Sequence, residues 1–329
     1  MAGRAMNRRA FIGVVAGIVL APARIVVAQP KGRVYRAGFL FPGSPGPGIA
    51  AFEPAIRSLG WVPGQNLILE QRYAHGDLSR LPALAAELVG LKVDVILVSS
   101  LAIPAAQAAT RTIPTIMAFA VDDPVEQGWA ASLARPGGNL TGVTLHAPEL
   151  AGKRLELLKG VLPGMRRVGV LAWPRPGGLG QVRAAEAAAR SLSLQVHVVE
   201  VQETAQYDGA VETLKRGGAD ALFVLSSSTF FAERRRIADL AIKHRLPLVA
   251  PFREVAESGG LMAYGPNIVE LWKQRVPVYV DRILKGAKPG DLPIEQPTKY
   301  ELIVNLKTAK TLGLTIPQSL RLRADQVIE

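Results

Sequence analysis

Short, solidly apolar runs alternate with longer stretches whose apolar positions recur three or four residues apart. The first kind is the signature of a buried strand, the second of an amphipathic helix. Val34–Phe41 reads as a strand, ended by the turn-forming Pro42-Gly43-Ser44-Pro45-Gly46-Pro47-Gly48. A helix is expected over Ile49–Leu59, stopped by Gly60, then a strand over Leu67–Arg72. Leu81, Leu84, Ala85 and Leu88 share one face of a helix over Leu78–Leu91. Strand Val93–Val98, helix Leu101–Thr110 and strand Thr115–Ala120 follow, and Asp122-Asp123-Pro124 cuts the last. Ala147–Leu162 is a long amphipathic helix, after which the pattern restarts. Strands are expected at Arg167–Ala172, Gln195–Val201, Ala219–Leu225 and Leu248–Ala250, with helices at Gly180–Leu192, Ala205–Lys215 and Phe230–His244. Val269–Leu284 reads as one more helix and Tyr300–Leu306 as a late strand.

The second half echoes the first. Arg36-Ala37-Gly38-Phe39-Leu40 returns as Arg167-Val168-Gly169-Val170-Leu171. Asp94-Val95-Ile96-Leu97-Val98-Ser99-Ser100 returns as Asp220-Ala221-Leu222-Phe223-Val224-Leu225-Ser226-Ser227. Arg111-Thr112-Ile113-Pro114 returns as His244-Arg245-Leu246-Pro247. Helices alternating with solidly apolar strands define an α/β chain with parallel sheets covered on both faces. Two such halves predict two Rossmann-like, doubly wound lobes with a cleft between them. Crossovers near 142–144, 264–267 and 297 assign 33–143 plus 266–296 to the N-terminal lobe. The C-terminal lobe is then 144–265 plus 297–329.

Composition narrows the chemistry. With 49% hydrophobic and 20% charged residues, the chain is globular and long enough for two cores. It has no Cys, which excludes disulfides, thiolate metal sites, a cysteine nucleophile and a lipid-bearing N-terminal Cys. The first acidic residue is Glu53. Arg4, Arg8 and Arg9 precede the apolar Phe11–Leu20, and Val26-Val27-Ala28 suits a signal peptidase, so residues 1–28 read as a signal peptide. The apolar run is shorter than the roughly 20 residues a membrane span needs. Arg8-Arg9-Ala10-Phe11-Ile12 also resembles a twin-arginine signal, and both export routes stay open. Without Arg4, Arg8, Arg9 and Arg24 the net charge falls from +12 to +8. Its one tight cluster, Arg234-Arg235-Arg236, reads as a solvated helix face rather than a nucleic-acid patch.

Ligands of open parallel sheets sit outside the carboxyl ends of the strands. That rule selects Phe41, Pro42, Ser44, Ser99, Ser100, Leu101, Ala120, Val121 and Asp122 in the first half. In the second it selects Trp173, Arg175, Ser226, Ser227, Phe230 and Phe252, with Tyr264 near a crossover. The Ser-Ser turns open helices, where hydroxyls and free N–H groups cap the helix or meet an anion. Trp173, Phe230, Phe252 and Tyr264 read as walls for a flat ligand, Arg175 as a carboxylate partner, Asp122 and Asp123 as seats for an ammonium group. Asp123 before Pro124 also reads as a plain turn starter. Across the cleft, Phe41-Pro42-Gly43 is expected to face Trp173-Pro174-Arg175, and Ser100-Leu101 to face Ser227–Phe230.

Enzyme signatures are missing. His75, His146, His197 and His244 lack metal spacing, and there is no Gly-x-Ser-x-Gly elbow or phosphate loop. Gly178-Leu179-Gly180 has Arg183 where a dinucleotide turn needs its third Gly. No catalysis, metal or cofactor is expected.

Further motifs run from Arg80-Leu81-Pro82-Ala83-Leu84-Ala85-Ala86-Glu87-Leu88 through Asp123-Pro124-Val125, Arg135-Pro136-Gly137-Gly138-Asn139-Leu140-Thr141-Gly142-Val143 and Lys153-Arg154-Leu155-Glu156-Leu157-Leu158. Gly259-Gly260-Leu261-Met262-Ala263-Tyr264-Gly265 and Gln296-Pro297-Thr298-Lys299-Tyr300-Glu301-Leu302-Ile303-Val304-Asn305-Leu306 close the series. Together they resemble the substrate-binding proteins of bacterial ABC importers with a type I periplasmic-binding fold, a family that includes tryptophan and other aromatic amino-acid binders. Ala172-Trp173-Pro174-Arg175-Pro176 stands where that family usually carries an Asn-Pro turn. The resemblance implies three hinge crossovers, a small solute clamped between closing lobes and delivery to a membrane permease. The expectation is a soluble, monomeric periplasmic receptor for an amino acid or other small carboxylate, with no nucleic-acid partner and no membrane insertion of the mature chain. A ligand-sensing module for a membrane kinase or chemoreceptor stays open as the alternative, and an enzyme on the same fold as a third.

Overall fold

Uncharged runs make the inner strands: Val95–Ser99 is buried at all five positions and Leu248–Ala250 at all three. The computed structural model describes residues 33–145, 149–173 and 179–329. The expected signal peptide therefore lies outside the described residues, as do His146, Pro174, Arg175 and Pro176.

The first stretch runs β1 (Tyr35–Phe41), α1 (Pro47–Ser58), β2 (Leu67–Tyr73), α2 (Leu81–Gly90), β3 (Val95–Ser99), α3 (Ile103–Ala109), β4 (Thr115–Ala120) and β5 (Leu140–Thr144). The second runs α4 (Glu149–Val161), β6 (Arg167–Ala172), α5 (Leu179–Ser191), β7 (Gln195–Glu200), α6 (Tyr207–Arg216), β8 (Ala221–Val224), α7 (Ser228–Ala232), α8 (Arg234–Lys243), β9 (Leu248–Ala250), α9 (Arg253–Glu257) and β10 (Met262–Gly265). Then come α10 (Ile268–Gln274), α11 (Val276–Leu284), β11 (Glu301–Asn305), α12 (Leu306–Leu312), α13 (Gln318–Arg323) and β12 (Gln326–Ile328).

Among the described residues these strands form two sheets, ordered β2-β1-β3-β4-β5 and β12-β11-β10-β9-β8-β6-β7. All pairings are parallel except β10 with β11. The protein is thus two α/β lobes, and the chain passes between them three times: after Thr144, after Gly265, and between Glu295 and Glu301. On the first return α10 and α11 pack against α1 and the inner strands of the first sheet. Trp272 of α10 lies among Phe39, Phe41 and Phe52. Burying one such ring contributes roughly 1.5–3 kcal/mol. Gly48 makes room for it, since a Cβ there would stand 2.5 Å from the indole.

Several elements depart from the sequence pattern. Val269–Leu284 is two helices, because Pro277 has no N–H to continue the first; Asn267 caps α10 through the Glu270 N–H (3.1 Å). Phe230–His244 likewise divides between α7 and α8. Gly142–Thr144 and Tyr264, expected at crossovers, lie inside β5 and β10.

The echo marks a shared register device. Asp94 donates its N–H to the Arg36 carbonyl (2.8 Å), and Asp220 does the same to Arg167 (2.9 Å). Each carboxylate also reaches back: Asp94 Oδ2 accepts from Arg36 N–H, and Asp220 Oδ2 from the N–H groups of Arg166 and Arg167. The repeated Arg and Asp thus lock β3 onto β1 and β8 onto β6.

One apolar cluster joins the lobes. It holds Phe39, Phe52 and Trp272, on the α1 face of the first sheet, together with Leu171, Tyr207 and Leu222, on the α6–α8 face of the second. The second sheet is therefore turned over relative to the first. Loops after β1 lie on the side of loops after β8, and loops after β3 on the side of loops after β6.

Candidate functional site

Two cavities open between the lobes at the carboxyl ends of the strands. The larger, a chamber of about 790 Å³, is lined by Asp77, Ser100, Leu101, Asp122, Gln127 and Trp129 from the first lobe and by Trp173, Gln202 and Glu203 from the second, among others. The smaller, a slot of about 300 Å³, is walled by Phe41–Ile49, Tyr73, Phe119 and Trp272 and by Ser228, Phe231, Arg234 and Phe252. The pairing across the cleft is crossed relative to the sequence expectation. Phe41, Pro42 and Ser44 meet Phe231 and Phe252, while Ser100 and Leu101 meet Trp173. The turned-over second sheet is the reason.

The expected site residues divide accordingly. Ser100, Leu101, Asp122 and Trp173 line the chamber. Phe41, Pro42, Ser44 and Phe252 line the slot. Ser99, Ala120, Val121, Ser226, Ser227, Phe230 and Tyr264 line neither. Phe230 stands behind Trp173, edge-on at 6.0 Å, and Tyr207 meets its other side. Ser226 exchanges two hydrogen bonds with the Gln181 amide, and Ser227 Oγ accepts from Thr229 N–H to cap α7. Tyr264 packs on Tyr300 and gives its carbonyl to Arg154 Nε (2.7 Å); burial lowers that guanidinium to about 10.

Lining residues absent from the sequence reading follow two patterns. Tyr73 ends β2 and Asp77 follows it, and Gln202 and Glu203 come after β7. These are neighbouring strands that the echo does not cover, but the strand-end rule reaches them. Trp129 sits in the long loop from β4 to β5, where no periodicity singled it out.

The backbone around Asp122 is held from two sides. The Ser100 hydroxyl accepts from Val121 N–H (2.7 Å), fixing the end of β4 against the β3 turn. Thr144 Oγ1 donates to the Ala120 and Asp122 carbonyls, both at 3.3 Å, so the first crossover grips the same end. The side chain of Asp122 is left facing the chamber at 6% exposure. No hydrogen bond or ion pair holds it among the described residues, and burial pushes its carboxyl up to about 7. Asp123 differs: its Oδ1 accepts from Val125 N–H (2.8 Å) and Glu126 N–H (3.4 Å), making the turn expected before Pro124.

Such a chamber holds a small molecule, with aromatic walls and a few convergent polar groups. Two open-sheet lobes around an interlobe chamber define a solute-binding protein. Residues 49–328 match the model of the ABC transporter substrate binding protein family, and the chain belongs to that family. It is 27% identical over 267 residues to a tyrosine-binding protein of Clostridioides difficile, a match covering 80% of this chain and 75% of that one. An ABC domain from Streptococcus pneumonia in complex with L-Trp superposes with a TM-score of 0.82 at 26% identity, over 90% of this chain and all of that one. A ligand-free, open substrate binding protein with adhesive properties from Clostridium difficile gives 0.64 at 24% identity, over 90% of this chain and 99% of that one, and shares the fold. No helix among the described residues is long and apolar enough to cross a membrane.

Proposed function

We propose that this protein is the extracytoplasmic receptor of an ABC importer, that it closes on an amino-acid-like solute, and that it delivers the solute to a membrane permease. The chamber carries the reading: it draws its walls from both lobes, so a ligand there gains its full set of contacts only when the lobes are closed. That differential contact is what shifts a hinge toward closure. The hinge is assigned to the crossovers after Thr144 and Gly265 and before Glu301. The tyrosine- and tryptophan-binding relatives support an aromatic amino acid as ligand, and Trp129 and Trp173 suit its side chain. The basic, apolar N-terminal segment supports export. The family is one of binding proteins, and binding without catalysis is the proposed activity.

A thermal-shift panel of amino acids, aromatic acids and sugars tests the reading. A cognate ligand at 100 times its Kd stabilises the folded chain by about 2.7 kcal/mol. Absence of a shift across the whole panel overturns a free-solute receptor. Sequencing the exported protein's N-terminus is expected to give a start after Ala28, and a start at Met1 overturns export by cleavage.

A further inference from the structure

This inference rests on the chamber being the solute site, and it names what the solute carries. The charged residues among its described lining are all acidic: Asp77, Asp122 and Glu203. Asp77 Oδ1 accepts from the N–H (3.1 Å) and the hydroxyl (2.6 Å) of Ser79. Glu203 is exposed to water. Asp122 has no bonded partner among the described residues and faces the chamber at only 6% exposure. The elements around it supply Ser100 and Leu101 from the β3 turn, Thr144 from the crossover, Gln127 and Trp129 from its own loop, and Trp173, Gln202 and Glu203 from the other lobe. None of these is a cation, and Asp123 and Glu126, beside it in sequence, are acids too. Arg175, two residues past Trp173, and His146, two past Thr144, lie outside the described residues, and Arg175 enters the test below.

A buried carboxyl without a partner is costly when ionised, and a chamber with this lining repels a second carboxylate. A ligand bringing a cation removes both problems, and indole faces attract cations as well. We propose that Asp122 is the seat of the ligand's protonated amine, so that the chamber selects amines and amino acids over simple carboxylates and neutral sugars. The flat body of the ligand then lies between Trp129 and Trp173. Seating the ammonium requires an ionised Asp122, so near neutral pH binding expels a proton from the carboxyl to solvent. This narrows the expected ligand class: a small acid lacking an amine is excluded.

The test uses matched triads: L-tryptophan, tryptamine and indole-3-propionate, with the corresponding L-tyrosine and L-leucine sets. Binding to the full mature chain is measured by calorimetry at pH 6, 7 and 8, in two buffers of different ionisation enthalpy. In at least one triad the amine-bearing members are expected to bind at least 100-fold more tightly than the acid. Their affinity falls up to tenfold per pH unit below 7, levels off by pH 8, and is accompanied by proton release at pH 7. Asp122→Asn is expected to lose about 100-fold for amines and to flatten the pH dependence; Asp122→Glu recovers part of it. The wild-type proton release needs no variant and stands if Asp122→Asn fails to fold. Arg175→Ala is expected to keep the amine preference. An acid binding as tightly as its amino acid, absence of proton release, or a pH dependence unchanged in Asp122→Asn overturns the proposal and leaves the receptor reading standing. No binding by any amine, acid or sugar overturns the receptor reading itself.

Discussion

The two serine turns echo one another in sequence and do different work in the structure. In the first lobe, Ser100 ties β3 to the end of β4 and sets the chamber's carboxylate, while Ser99 Oγ is buried without a partner. In the second, Ser227 caps a short helix, Ser226 is held by Gln181, and Ser228 Oγ is the buried, unpartnered hydroxyl. The repeated aspartates differ less: Asp94 and Asp220 each tie back to the repeated Arg at the same register, Asp220 with one further bond from Arg166. What the lobes share therefore lies at the amino ends of their strands and holds each sheet together. What they do not share lies at the carboxyl ends and faces the cleft.

Substitutions made in pairs break or sharpen that contrast. The largest effect is expected at Gly142 within β5 and Gly265 at the end of β10. A Cβ at Gly142 would stand 2.2 Å from the Met117 carbonyl oxygen, and one at Gly265 would stand 2.1 Å from that of Pro251. Gly142 also has φ of 126°. Gly142→Ala and Gly265→Ala are each expected to cost about 4 kcal/mol or more in urea unfolding; either one unfolding like the parent would show that the strand backbone around it yields freely.

Next come the buried acids, Asp122 in one lobe and Glu254 in the other. Asp122 stands near 7 when folded and near 3.8 otherwise, so the folded chain binds more protons between about pH 4 and 7. Stability of the ligand-free protein therefore falls as pH rises through that window, by on the order of 4 kcal/mol. Asp122→Asn removes the fall, so at pH 8 it is expected to outlast the parent in denaturant. Burial also raises Glu254, but a backbone hydrogen bond and then Arg234 and Arg253 oppose the shift, so Glu254→Gln should show the same sign and a smaller effect. Equal pH slopes for the two variants would remove the distinction between a ligand seat and a buried structural acid.

The aspartate pair follows. Asp94→Ala and Asp220→Ala are expected to destabilise alike, by about 1–2 kcal/mol each, without changing ligand affinity. The smallest effect belongs to the serines. Ser227→Ala should cost about 1 kcal/mol as a lost cap and leave binding intact. Ser100→Ala should cost no more in stability, yet weaken binding several-fold, because Asp122 loses its brace. A reversed order of binding losses would move the chamber's key brace to the second lobe.

Most of the fold is legible in the sequence because inner strands such as Val95–Ser99 have no polar interruption and the helices between them keep their period. Legibility fails where an element is short or its cause is remote. β10 and β12 hold few residues, and nothing local distinguishes Met262–Gly265 from a loop; pairing with β9 and β11 makes it a strand. The break at Arg275 was readable from Pro277, which removes a helical N–H. At the site, the strand-end rule located Asp122, Ser100 and Trp173. It did not pair them correctly, since the facing of two lobes depends on which sheet face each loop follows. That geometry emerges only when Trp272 and Tyr207 join one core.

The four indoles are distributed in a way that makes the molecule its own optical instrument. Trp61 is anchored outside the cleft, its Nε1 donating to Asp281 Oδ1 at 2.9 Å, and Trp272 is enclosed by phenylalanines. Trp61 supplies a constant background, and Trp272, which walls the slot, does not face the chamber. Trp129 and Trp173 sit on opposite walls of the same chamber, so an occupant displaces water from both at once. Intrinsic fluorescence thus reads occupancy without a label, and replacing either chamber indole by Phe assigns the signal to one lobe or the other.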